Sequence, residues 1–151
     1  MPLLTPKTSA TKYTLRVMAE NFIKKWDGLF LEDWGSVVSP EYKKFQNAMV
    51  RELRRIAKSI GAEISKSHKG HYDLSAFFKR GDHYVYFSYS TSVTHPRSMV
   101  VLSSRSFCGP VLIRTAADDN DYRGGSNNYC PFSELGQRVD YLLNTNHRQS
   151  F

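Results

Sequence analysis

Near the middle of the chain, residues His71–Ser90 read HYDLSAFFKRGDHYVYFSYS. Two aromatic-rich runs flank the basic turn Lys79-Arg80-Gly81-Asp82, whose glycine accepts a positive φ, and this arrangement predicts a β-hairpin. With a period of 2, Tyr84, Tyr86, Ser88 and Ser90 share one face of the second strand, and His83, Val85, Phe87 and Tyr89 share the other. Neither set is plainly polar. The strand is therefore expected at the centre of a sheet, with helices covering at least one side.

The segments around the hairpin follow from periodicity. Pro2–Ser9 reads as a loose leader with Thr8 or Ser9 as N-cap. Leu15, Met18, Phe22, Trp26 and Leu29 then recur at helical steps, although the alternation Tyr13, Leu15, Val17 also fits a short strand. Leu29–Trp34 is a ragged last turn or a separate short helix, and Trp26, Phe30 and Trp34 are expected as core anchors. The second helix has every terminal signal: Ser39 as cap, Pro40 at the first helical position, Glu41 in the first turn and Gly61 at the left-handed stop. Tyr42, Phe45, Met49, Leu53, Ile56 and Ile60 form its apolar stripe.

Beyond Gly61 the period changes to 2. Ala62–Ser67 is predicted as a strand and His68-Lys69-Gly70 as a turn, followed by hairpin strands His71–Phe78 and His83–Ser90. Val93–Ser98, with its proline, is a loop. Ser98–Ser104 and Val111–Thr115 are further strands around a Cys108-Gly109-Pro110 turn. A long loop, Ala116–Tyr129, precedes a last helix capped by Ser133 and fraying after Asn144. Two N-terminal helices, about five antiparallel strands in a meander and one C-terminal helix make a two-layer α+β domain. No linker divides residues 1–151, with 1–9 as leader and 145–151 as tail.

Composition narrows the function classes. A chain of 151 residues, 40% hydrophobic and 13% aromatic, can bury a core without metal or disulfide support. No apolar run reaches the roughly 20 residues of a membrane helix, and the first residues lack a secretory pattern. Cys108 and Cys130 make no disulfide framework; reduced thiols in a cytoplasm are expected, with one bridge between them as the alternative. The net charge is +7. Residues 1–60 hold eleven Lys/Arg against six Asp/Glu, 61–116 seven against three, and 117–151 three against five. Such a surface favours polyanions, or serves solubility alone.

The candidate binding residues follow that charge. Lys44, Arg51, Arg55 and Lys58 form a second stripe on the second helix, with Lys43 and Arg54 beside it, either a phosphate-tracking surface or an ordinary solvated face. Lys69, Lys79, Arg80 and Arg97 cluster with Lys66 around the hairpin ends, and Tyr72, Tyr84, Tyr86 and Tyr89 lie among them, as in sheets that stack bases. The loop after Arg114 carries Asp118, Asp119, Asp121, Tyr122, Arg123 and Gly124-Gly125. Its acids suit a hard cation but not EF-hand spacing, and its glycines match neither a P-loop nor a dinucleotide fingerprint. His68-x-x-His71 is not a zinc spacing, and His83 with Asp73 is a candidate acid/base pair. No catalytic signature or cofactor motif occurs, so neither cofactor nor metal is expected.

Leu112-Ile113-Arg114-Thr115-Ala116, Asp121–Tyr129, Gly70-His71-Tyr72-Asp73 and Tyr84-Val85-Tyr86 resemble small proteins carried by phages and mobile elements. The resemblance covers roughly the C-terminal half and brings no catalytic motif. It implies an anti-defence setting, anti-CRISPR inhibitors among the possibilities, in which a protein occupies a nucleoprotein surface. The positive charge argues against DNA mimicry. The expected function is a basic, non-enzymatic binder of nucleic acid or a ribonucleoprotein such as a CRISPR effector complex. The alternative is a small enzyme acting on a nucleotide through Arg114 and the Asp118–Arg123 loop. A protein-interaction domain with no nucleic-acid role is the third reading.

Overall fold

The computed structural model describes residues 9–26, 40–70, 73–90 and 110–145. Helices α1 (Ser9–Trp26) and α2 (Pro40–Ser59) precede strands β1 (Glu63–Lys69), β2 (Asp73–Arg80), β3 (His83–Ser90), β4 (Val111–Ala116) and β5 (Asn128–Cys130). A 3-10 turn, Phe132–Glu134, leads into α3 (Leu135–Thr145). The strands form one antiparallel sheet in the order β1-β2-β3-β4-β5. This is the expected α+β arrangement, with β3 in the middle of the described strands.

Several boundaries differ from expectation, each for a local reason. Arg80 pairs with His83, so the hairpin turn is only Gly81 and Asp82, with Gly81 at φ 65°; Lys79 and Arg80 belong to the strand. β1 runs on through His68 and Lys69 instead of turning there. Its end is fixed by the Gly70 N–H, which donates to the Asp73 carbonyl at 2.8 Å. The buried amide of Gln46 donates to the carbonyls of Gly70 at 2.8 Å and Asp73 at 3.2 Å. The Ala116–Tyr129 loop contracts to 117–127, because Ala116 completes β4 and Asn128, Tyr129 and Cys130 pair with Ile113, Leu112 and Val111. Ser133 does not cap α3. Pro131, at φ −65°, opens the 3-10 turn with no side-chain cap, and Ser133 lies inside it. Thr8, Leu29–Trp34, Ser39, His71, Tyr72, Val93–Ser104 and Cys108 lie outside the described residues.

Helices α2 and α3 cover one face of the sheet, and α1 packs against them and the 3-10 turn. Leu74, Ala76 and Phe78 of β2, Val85, Phe87 and Tyr89 of β3, and Val111 and Ile113 of β4 are buried there. Against them lie Phe45, Met49, Leu53, Ile56 and Ile60 of α2 and Leu135, Val139 and Leu143 of α3. α1 adds Leu15, Ala19 and Phe22, with Phe22 meeting Phe132 at 5.6 Å and Phe45 at 6.2 Å between ring centroids. Trp26 packs edge-on against Phe45 at 5.7 Å, as expected of a core anchor. Gly61 stops α2 at φ 72°. Among the described residues no helix is long and apolar enough to cross a membrane.

Candidate nucleic-acid interface

Two charged surfaces lie on opposite sides of the sheet. The first is the solvent arc of α2. At 3.6 residues per turn, Lys44, Arg51, Arg54, Arg55 and Lys58 fall on the arc opposite the buried Phe45–Ile60 stripe, and all five are exposed. Arg55 forms an ion pair with Glu52, one turn back. The side chains of Lys44, Arg51, Arg54 and Lys58 have no ionic or hydrogen-bond partner among the described residues. Fourteen residues at 1.5 Å rise separate Lys44 from Lys58, about 21 Å, the axial length of about six phosphates along one strand. Glu52 itself is buried, and desolvation raises its pKa above the ordinary glutamate value despite the Arg55 hydrogen bond and charge.

The second surface is the sheet face turned away from the helices. The register places its residues in three rows: Glu63, Lys79, Tyr84 and Ala116; Lys66, Phe77, Tyr86 and Arg114; His68, Ser75, Ser88, Leu112 and Tyr129. A bulge between Ile64 and Lys66 brings Lys66 opposite Phe77, and so onto this face. The middle row is capped by Tyr122 from the 117–127 loop. Its ring stands edge-on to Phe77 at 5.2 Å and 74°, and to Tyr86 at 5.7 Å and 79°. Lys66 Nζ lies 5.7 Å from the Tyr122 ring and donates to Asn120 Oδ1. From the opposite end, Arg114 stacks 4.7 Å over Tyr86 and donates to the Tyr122 carbonyl at 2.8 Å. Lys79 lies 5.7 Å over Tyr84.

No family model, curated protein or solved structure matches the chain. Function must therefore be read from the side chains.

The loop acids fold the loop. Asp121 accepts from the backbone N–H groups of Ala117 at 2.8 Å, Gly124 at 2.7 Å and Arg123 at 3.2 Å. Partial burial pushes its carboxyl up, but those three donors and the Arg114 charge outweigh it and hold the pKa below the ordinary aspartate value. Asp118 accepts from the Asn120 N–H at 2.8 Å, an Asx turn. Gly125, at φ 74°, lies against β4; a Cβ there would meet the Thr115 carbonyl at 2.4 Å. Among the described residues no three His, Cys, Asp or Glu side chains converge as a metal site. Asp73 and His83 are not an acid/base pair. They begin consecutive antiparallel strands, so the register sets them at opposite ends of the hairpin.

Two of the anticipated cations face the helix side, where they hold elements together. Arg80 donates to the Ile60 carbonyl at 2.7 Å, Asp140 Oδ1 at 2.8 Å and Asn144 Oδ1 at 2.9 Å, tying the hairpin to the ends of α2 and α3. His83 Nδ1 donates to the Leu143 carbonyl at 2.9 Å beside it. Lys69 donates to Asn47 of α2 at 2.8 Å. Arg123 is exposed, and Tyr129, absent from the sequence-based candidates, is the most open ring on the sheet among the described residues, at 62% exposure. Its position on β5 was the missing information. Cys130 is free and buried, with desolvation pushing its thiol up to about 11.

Proposed function

We infer that the protein is a non-enzymatic binder of nucleic acid or of a nucleoprotein, and that α2 is its phosphate-contacting element. The observation that carries this reading is the arc of Lys44, Arg51, Arg54 and Lys58, exposed and without acidic partners among the described residues. Unpaired cations over about 21 Å of helix form an electrostatic footprint for a phosphate backbone. The resemblance to phage and mobile-element proteins supports a setting in a bacterial cytoplasm. There such a surface inhibits a host defence complex, a CRISPR effector for instance, by occupying its nucleic acid or an acidic protein patch. The roles of Asp121 and Arg114 within the loop give the nucleotide-enzyme reading no free acid/base pair to build on.

The test is fluorescence anisotropy of labelled duplex DNA and RNA at two salt concentrations. If four phosphates are neutralised, affinity falls about 100-fold between 50 and 200 mM salt. The triple variant Arg51→Glu, Arg54→Glu, Lys58→Glu abolishes binding on this reading. Wild-type affinity in that variant would refute α2 as the contact surface.

A further inference from the structure

The sheet face opposite α2 differs from it in chemistry as well as in position. α2 presents cations with no aromatic ring among its described exposed residues, suited to phosphates of any strand. The sheet presents rings and cations together. Tyr84 on β3, Tyr122 on the capping loop and Tyr129 on β5 occupy successive rows; Tyr122 lies over β2 and β3, so Tyr129 is set off from it toward the β5 edge of the sheet. Rows two residues apart are roughly 7 Å apart. Tyr122 is 43% exposed and Tyr129 62%. Cations flank them: Lys79 over Tyr84, Lys66 beside Tyr122, and Arg123 next in the chain. Glu63 lies opposite Lys79, and Asp118 and Asp119 sit in the loop, while the Asp121 carboxylate is held by three backbone N–H groups.

We propose that this face is a second site, separate from α2, that takes single-stranded nucleic acid, with Tyr84, Tyr122 and Tyr129 stacking on bases and Lys66, Lys79 and Arg123 on the phosphates between them. A ring face rewards only a base whose own face is free, and in a duplex those faces are covered by neighbouring pairs. The cations supply the charge complementarity that a purely apolar partner would not need. Phe77 and Tyr86 beneath Tyr122 hold that ring in place before any ligand arrives, which lowers the ordering cost of binding. The proposal rests on the reading that the protein engages nucleic acid, but not on α2 being the surface that does so. With the two sites on opposite sides of the sheet, one molecule holds a duplex on its helix and an unpaired strand on its sheet.

The experiment measures anisotropy of fluorescein-labelled 15-mers of deoxythymidine and uridine, and of a 15-base-pair duplex, on the full chain. The variants are Tyr84→Ala, Tyr129→Ala, both Phe counterparts and the α2 triple variant, each first checked by thermal melting. Each Ala variant is expected to weaken single-strand binding by about 5- to 100-fold, the range for loss of one stacked base. The Phe variants retain it, and the α2 variant loses duplex binding while single-strand affinity stays within about threefold. Three results would overturn the proposal. The Ala variants bind single strands like the wild type; the α2 variant loses both ligands together; or Tyr129→Ala dissociates a dimer in sedimentation, which makes the face a self-association surface. Duplex binding that depends on α2, with no single-strand binding, sinks this proposal alone. Binding of neither ligand at low salt sinks both.

Discussion

Phe77 and Phe78 are adjacent in β2, equally buried at 1% and 0% exposure, and lie on opposite faces of the sheet. Phe78 lies with Phe87, Phe45 and Ile113 in the core shared by the sheet and the helices. Phe77 is closed off by Tyr86 and by Tyr122 from an eleven-residue loop, outside that core. Equal burial thus has two meanings. On the helix side a side chain holds the elements of the fold together; on the other side it holds a loop against a platform.

Substitution should separate the two meanings. Phe78→Ala is expected to cost about 4 kcal/mol, because the surrounding helices and strands cannot collapse into the cavity; urea denaturation should show little native baseline. Arg80→Met is next on the same side. It leaves Asp140, itself 8% exposed, and the Ile60 carbonyl without their donor, about 2–3 kcal/mol by the same measurement. Phe77→Ala should cost less, about 2 kcal/mol, since the loop can settle. Its stronger signature is faster hydrogen exchange confined to 117–127. If exchange instead accelerates throughout the sheet, the open-face cluster belongs to the global core and the contrast fails.

The smallest effects are in pH dependence, where two carboxylates shift in opposite directions. Asp121 is lowered in the folded chain, so its contribution to stability is present above about pH 4, the ordinary aspartate value. It is lost as pH falls through the lower folded value. Asp121→Asn should therefore make stability fall less steeply on acidification below about pH 4. Glu52, raised by burial, contributes stability below its ordinary value that is lost as pH rises through the raised one. Glu52→Gln should flatten that loss. Parallel pH–stability curves for wild type and both variants would refute the assignment.

The division into two faces was partly legible in the residues. The α2 stripe, its proline start and Gly61 stop are all local signals, and so is the alternation in β3. What was not legible depended on distant partners. Arg80 reads as a turn cation until Asp140, sixty residues on, is placed beside it. Lys66 reaches the open face only through the bulge before it, a shift that no period-2 count contains. Asn128–Cys130 is three residues long, too short for alternation to register, so Tyr129 was left in a loop. Tyr122 depends on the path of a loop whose turns are set by Asp121 and Gly125. Residues at the candidate α2 surface were found because a helix presents its outer arc by rule; the sheet platform was found only in part, because it is assembled from five strands and a loop.

The contact of α1 with the end of the chain has a consequence for the order of folding. Strands β1 to β3 pair through short connections, and such pairings form early because little loop entropy is lost. Phe22 and Leu15 meet partners in the 3-10 turn and in α3, more than a hundred residues away in sequence. During synthesis, at about 5–20 residues per second, α1 leaves the ribosome first and finds its closing surface last. For that interval α2 can cover only the part of its apolar side that meets Phe45, and the 3-10 turn and α3 are the elements that cover the rest.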